Sequence, residues 1–504
     1  MPEIIIPTAT NTEEPSRVAP YTTPSLVYTT MLPMLQKMRD VYGGNKTMRE
    51  AGKKYLPMLL KESEEAYKAR LVALTIPNSL REAIRGYAGR IFAKPTTKGE
   101  DFDEAFNAWW EDIDRLGSKA DVFFRRVVAS GILSGISWVL VDMPASNAEN
   151  LAQEREMNIR PYCRKYDALD VIFVEANEQG QIIDFRVRET AFQTVELVQK
   201  QVTIIRRYTP GLCEVYNVTT GQVAAYALSY PAQFGVPVVP YVAADEVGAG
   251  YYVEPPLLDM ADLSIRLWNS QAEQDNCLHI ARCPLLFARG WKPEANDESG
   301  NEMVVTTTQV YYSEDPAASL NWVEHSGAAL GAGRDDIDSL QRQIQAAGLK
   351  PLLNMGGDRT ATEVDSDDMR ASSPLRNMAD NAQDMIENVL RCMARWIGRD
   401  DGPSVSLNSN FEITRFDGSA MSSLLNMRDA GMITKKTVLK EAQRRGLLSD
   451  EMNLEDELKA AEKEAPAEPN AVTGKGQLPG TIPVSNDRID YLKKIPGNAL
   501  LDLR

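Results

Sequence analysis

Histidine is almost missing from this 504-residue chain: only His279 and His325 occur. Their scarcity excludes His-rich metal sites and the HExxH arrangement, in which two imidazoles one helical turn apart hold a zinc ion. Cysteine is sparse too. The five thiols, Cys163, Cys213, Cys277, Cys283 and Cys392, are odd in number and scattered, so no disulfide framework is expected and a reducing compartment fits them. Cys277, His279 and Cys283 lie close together but lack the paired CxxC spacing of zinc sites, and no metal is expected there. No apolar run approaches the roughly 18 to 20 residues of a bilayer span. The opening MPEIIIPTATNTEEPSRVAP has neither a basic n-region nor a long apolar h-region, so neither a membrane association nor a secretory leader is expected. Cations are in deficit, 55 Lys and Arg against 71 Asp and Glu, for a net charge of −16. Such a surface repels polyanions on average, and a nucleic-acid partner would be tolerated rather than gripped.

Catalytic signatures are equally thin. GISWV resembles a GxSxG nucleophile elbow but has Val139 where the second glycine belongs, so Ser137 is expected to be a strand residue. GGNKT near Gly43 and TGKG near Gly474 lack the upstream glycine and the spacing of a phosphate loop, which leaves no ATP-driven motor in the chain. With 71 acids available, a carboxylate pair for hydrolysis carries no signal. The basic doublets Arg125–Arg126, Arg206–Arg207, Lys435–Lys436 and Arg444–Arg445 read as surface or salt-bridge residues, which only a ring of copies would turn into a phosphate collar. Neither enzymatic activity nor a cofactor is expected.

What the chain does contain is a normal globular composition, 43% hydrophobic and 25% charged, with length for two to four folding units. Residues 1–29 are rich in Pro, Thr and Glu without apolar period and read as an arm. Helical periodicity follows. SLREAIRGYAGRIF places Leu80, Ile84, Tyr87 and Ile91 on one stripe, DFDEAFNAWWEDIDRL carries Phe102, Phe106, Trp109, Trp110 and Ile113, and ADVFFRRVVASGIL makes a further helix. Beyond Gly135 the period turns to strands: ISWVLVDMP, DVIFVEA, IIDFRVRE, VTIIRRYT and CEVYNV, separated by NEQGQ, TPG and TTGQ turns, predict a mostly antiparallel sheet over about 136–245. A helix over 253–281 then aligns Leu257, Ala261, Ile265, Trp268 and Ala272. Short strands (CPLLFARG, MVVTTTQVYY, LNWVEH) precede a second helix with Ile337, Leu340, Ile344 and Ala347 on one side. The longest helical pattern comes last, Met378, Ala382, Met385, Val389, Met393 and Trp396, with Pro374 expected to kink or interrupt it. Helices over 418–464 and a Pro- and Gly-rich tail over 465–504, expected to be flexible, complete an α+β chain.

Four segments, taken together and in order, resemble a branch of the phage portal protein family: YLPMLLKESEEAYKARLVAL with NSLREAIRGYAGRIFAKP, PPLLDMADLSIRLWNSQAEQDNCLHIARCPLLFARG, TATEVDSDDMRASSPLRNMADNAQDMIENVLRCMARWIG, and DAGMITKKTVLKEAQRRGLLSDEMNLEDE. They span about 50–460. The resemblance implies a homo-oligomeric ring, usually a 12-mer, in the virion at the capsid portal vertex, assembled in the host cytoplasm. Double-stranded DNA would pass through it without sequence specificity. Partners would be the terminase large subunit, a head-tail adaptor, and the major capsid and scaffolding proteins. It implies a helical and β wing over 30–252, a stem of helices 253–281 and 333–348, a clip over 282–332, a tunnel loop over 349–361, a kinked wing helix and strand over 362–417, and a crown over 418–464. Lys350, Asn354, Met355, Gly356, Gly357 and Arg359 would then border the channel, while Arg289, Trp291 and Lys292 would meet partners at the clip. Two rival readings are a virion adaptor or scaffold without a channel, and a carboxylate-based hydrolase built on the β-rich block.

Overall fold

The computed structural model describes residues 19–144, 159–195, 197–244, 247–282, 285–289, 316–323, 328–349, 361–408, 411, 418–444, 448, 452 and 454–464. It is an α+β chain that divides into two compact units, Met1–Ile413 and Thr414–Arg504.

The first unit opens with helices. After the single turn α1 (Ala19–Thr22) comes α2 (Leu26–Gly43), started by Ser25, whose hydroxyl accepts the Tyr28 N–H. The arm expected through residue 29 therefore ends sooner, since the Ser25 N–H also donates to Ile172 O at 2.9 Å and ties the chain down. Then follow α3 (Asn45–Ala51), α4 (Glu64–Ala73) and α5 (Ser79–Ile91), the last burying Leu80, Ile84, Tyr87 and Ile91 as the period predicts. Beyond the short strand β1 (Thr97–Lys98), α6 (Glu104–Glu111) is only eight residues long, shorter than the sequence pattern predicts. The cause is local: the Asp112 and Asp114 carboxylates accept the N–H groups of Gly117 and Leu116, at 2.7 and 2.9 Å, so the backbone turns instead of winding on. Helix α7 (Ala120–Ser134) ends at Gly135, whose φ of 81° requires glycine.

The strands are β2 (Ile136–Asp142), β3 (Tyr162–Asp167), β4 (Val171–Ala176), β5 (Ile182–Val195), β6 (Val198–Thr209), β7 (Leu212–Asn217), β8 (Val223–Ala227) and β9 (Val238–Val242). They form two antiparallel sheets rather than one: a three-stranded β3-β2-β9 and a five-stranded meander β4-β5-β6-β7-β8. Strand β2 is buried along its whole length, hence its unbroken apolar run. Pro240 lies opposite Trp138 on β9, where an edge strand tolerates the missing donor.

Helices α8 (Leu258–Ala281) and α9 (Ala328–Ile344) flank strands β10 (Leu285–Arg289) and β11 (Ser319–Val323). Helix α10 (Ala361–Trp396) is continuous through Pro374 and lies against the three-stranded sheet. Its Trp396 indole donates to Val141 O at 3.1 Å, Tyr241 on β9 donates to Met378 O at 3.2 Å, and Met378, Ala382, Met385, Val389, Met393 and Trp396 are all buried. Strand β12 (Val405–Ser406) pairs with β1 and closes the unit.

In the second unit, α11 (Gly418–Asp429), α12 (Lys435–Arg444) and α13 (Leu454–Glu464) occupy the helical stretch expected over 418–464.

Candidate functional site

Prolines set the start of α8. Pro255 and Pro256 have no N–H to give, so a turn closed by the Leu258 N–H on Pro255 O precedes the helix, which begins at Leu258 instead of 253. Helix α9 begins at Ala328, earlier than the expected 333, because GAALGAG offers alanines that wind readily and glycines that allow close approach. At Gly333 a Cβ would lie 2.0 Å from Gln274 Oε1.

The contacts fix the direction of the pair. Gln274 Nε2 donates to Leu330 O at 3.1 Å, Ser270 Oγ donates to Asp336 at 2.8 Å, and Gly348 approaches Met260, so residue numbers rise on one helix as they fall on the other. At the far end of this antiparallel pair, β10 and β11 join as an antiparallel ladder, Leu285 opposite Val323 through Arg289 opposite Ser319. Leu257, just before α8, and Ala261, Trp268 and Ala272 on it are buried and Ile265 is half-buried, while Ile337, Leu340 and Ile344 are buried on α9. Ala347 departs from the expected stripe and is exposed: residues Gln345–Leu349 wind as a π-turn, and the wider spacing buries Gly348 in its place. Trp268 is the anchor, fully buried, with no partner for its indole N–H among the described residues. Lys37 of α2 reaches Asp262 at 2.7 Å and ties α8 to the amino-terminal helices.

The outward surface of the pair is acidic. Asp259, Asp262, Glu273, Asp335 and Asp338 are exposed, against Arg266, Arg334 and Arg342. Arg266 lies 3.6 Å from Asp336, and that carboxylate also accepts from Ser270.

Arg289 stands exposed at the end of β10. Trp291 and Lys292 lie outside the described residues, as do Lys350, Asn354, Met355, Gly356, Gly357 and Arg359 and the strand expected at MVVTTTQVYY. Ser137 is a buried residue of β2 whose hydroxyl donates to Val127 O at 2.8 Å, as its neighbours predict. Cys277 and His279 are exposed on α8, Cys283 and His325 are outside the described residues, and among the described residues no group of three metal-ligating side chains converges.

Sequence reasoning missed a buried charge network between the two sheets. Glu189 on β5 accepts from Arg206 at 2.8 Å and from the Tyr166 hydroxyl at 2.5 Å, with Arg164 3.8 Å away. Arg164 donates to the Tyr162 hydroxyl at 2.9 Å, and that hydroxyl donates to Asp142 at 3.2 Å. Burial pushes the Asp142 carboxyl above the usual carboxylate range despite nearby Arg164. Its members satisfy one another inside the fold, which is how buried charge is accommodated. The paired Arg206–Arg207 in the sequence was the available signal: Arg206 faces inward and Arg207 reaches Asp184 and Glu214.

A family described as a domain of unknown function (DUF4055) matches residues 256–397, from the start of α8 to the end of α10. No curated protein matches the chain. Among solved structures, the chain is similar to a neck chain of an empty GTA particle at 11% identity and a TM-score of 0.44, covering 73% of this chain and 90% of that one. It is similar to a chain of the virion of a native gene transfer agent (GTA) particle at 11% identity and a TM-score of 0.40, covering 79% and 98%. A neck chain of the native GTA particle gives 10% identity and 0.41, covering 71% and 88%.

Proposed function

We propose that this chain is a virion structural protein, the ring-forming subunit of a phage portal, through which double-stranded DNA enters and leaves the capsid, with no catalysis of its own. One observation carries the reading: two antiparallel helices, α8 and α9, bracket a two-stranded β-ladder, and the long α10 follows them onto the sheet. The ordered sequence segments that resemble portal proteins lead to the same arrangement. An isolated two-stranded ladder is marginal in water, so this module makes physical sense when neighbouring copies cover it. In the proposed ring, α8 and α9 form the stem and β10–β11 the clip, which docks the terminase large subunit during packaging and a head-tail adaptor afterwards, with Arg289 at its rim. The acids along α8 and α9 suit a conduit that lets a polyanion slide, because they oppose the phosphate contacts that would hold it.

Electron microscopy of the purified full-length chain tests the proposal. Rings with a central hole wide enough for a duplex are expected. A compact monomer at high protein concentration, or an assembly without a hole, would overturn it, the latter in favour of a non-channel adaptor.

A further inference from the structure

The three-stranded sheet and the five-stranded meander end in four outer strands, and three of these are covered. Cys163 of β3 donates its N–H to Ile113 O at 2.9 Å, Ile172 O of β4 accepts the Ser25 N–H at 2.9 Å, and Val242 O of β9 accepts from Asn381 Nδ2 at 3.1 Å. Strand β8 differs. Leu228 N–H donates to Gly211 O and Asn217 N–H to Gln222 O, both at 2.9 Å, which fixes the phase of the antiparallel ladder. Ala224 and Tyr226 turn their backbone groups towards β7, and the N–H and C=O groups of Val223, Ala225 and Ala227 point away from it. Among the described residues none of these outward groups has a hydrogen-bond partner.

Nothing in β8 itself keeps another strand off. VAAYA carries no charge, proline or bulge, the devices by which outer strands avoid pairing. Its open face is apolar: Val223 is 46% exposed, and Ala225 and Ala227 are exposed with it.

The chain carries a segment suited to this edge. Residues 1–18 lie outside the described residues and begin MPEIIIP. Ile4, Ile5 and Ile6 are consecutive β-branched residues, Pro7 biases Ile6 towards an extended backbone, and no charge lies between Glu3 and Glu13. The segment also joins the fold beside the open edge. Tyr21 of α1 stacks on Tyr216 of β7 with ring centroids 5.2 Å apart, and its hydroxyl donates to Glu214 of the same strand at 2.8 Å. Strand β8 is the next strand out, about 4.8 Å further. Residues 7–18 can span up to about 40 Å, so the tether reaches easily and makes the pairing intramolecular.

We propose that Glu3–Pro7 adds to the β8 edge of its own chain as a sixth strand of the meander, its backbone bonding the outward groups of Val223, Ala225 and Ala227 and its isoleucines covering Val223. Main-chain bonds supply the attraction, as in other cases where an extended peptide completes a sheet. The arrangement holds whether or not the chain forms rings.

Hydrogen exchange read by mass spectrometry over residues 222–228 tests it, comparing the full-length chain with a variant lacking residues 2–10. The Val223, Ala225 and Ala227 amides are expected to exchange slowly in the full-length chain and to lose that protection in the variant, while residues 212–217 keep theirs. A peptide of residues 1–10 should restore the protection to the truncated chain and should not bind the full-length chain, whose edge is filled. Ala225→Pro removes one outward N–H without touching the ladder to β7, so in the truncated chain it should abolish rescue by the peptide. An isotope-labelled truncated chain mixed with excess full-length chain should stay unprotected; protection there would mean that a second copy donates the segment, and would overturn the assignment to its own chain. Protection of 222–228 that survives truncation would overturn the proposal, since another strand, β8 of a second copy included, then holds the edge. Fast exchange already present in the full-length chain would overturn it as well. Electron microscopy of the same two proteins reads ring formation separately, so the two readings fail independently.

Discussion

Trp268 concentrates much of the attachment of α8 in one side chain. Its ring is fully buried and its N–H has no partner among the described residues, so the indole is held by shape rather than by polarity. Trp268→Ala is expected to cost about 3–5 kcal/mol, the loss of a large buried ring plus the cavity left behind, read as a lowered midpoint in denaturant titration. Trp268→Phe keeps most of the apolar volume and discards the orphaned donor, so it should cost much less. Asp142 behaves differently. Burial holds its pKa above the ordinary value, so between the unfolded and folded values the native state binds the extra proton, and stability falls as pH rises through that window. Asp142→Asn is therefore expected to lose this fall and to gain on the wild type at pH 7 relative to pH 4. Parallel stability curves for the two proteins, followed by urea midpoint, would contradict this account.

At the level of elements, the crossing of α7 and β9 depends on Gly131. A Cβ there would lie 2.3 Å from Tyr241 Cδ1, on a fully buried ring whose hydroxyl is bonded to Met378 O. Alanine is the better helix former by about 1 kcal/mol, but forcing the ring aside costs about 1–3 kcal/mol. Gly131→Ala should accordingly lower the thermal midpoint despite the gain in propensity. The same contest between local preference and packing explains which elements the sequence reveals. The stripe from Met378 to Trp396 is legible because every third or fourth residue is apolar and buried. Pro374 was expected to kink or interrupt the pattern; it does not interrupt the helix, since one proline removes one donor while Leu375, Met378, Ala379 and Ala382 bury themselves just beyond. Strand β3 was invisible: in YCRKYD the charges mask the alternation, and only the fold supplies Glu189 to Arg164. Strand β8 was missed because alanine is a poor strand former and VAAYA lies at a sheet edge. In the candidate site, the α8 and α9 stripes were readable, but nothing in the sequence singles out Ser270 and Gln274, whose partners come from the second helix.

For the whole molecule, charge and topology have separate consequences. A net charge of −16, with acids exposed along α8 and α9, predicts weak binding to duplex DNA. In a mobility-shift assay near 0.15 M salt the free chain should give no shift at micromolar protein, its affinity falling below that of proteins that bind DNA non-specifically, about 10⁻⁴ to 10⁻⁶ M. A sub-micromolar shift would defeat the idea that the acidic surface lets DNA slide. Topology bears on biogenesis. Trp396 completes the cover of β2 by bonding to Val141 O across 255 residues of chain. At roughly 5–20 residues per second a ribosome needs on the order of 13–50 s to make that stretch. For all that time the nascent sheet has one apolar face without its helix. The window between translating β2 and releasing α10 is thus when a chaperone, or another half-made copy, would find this polypeptide most adhesive.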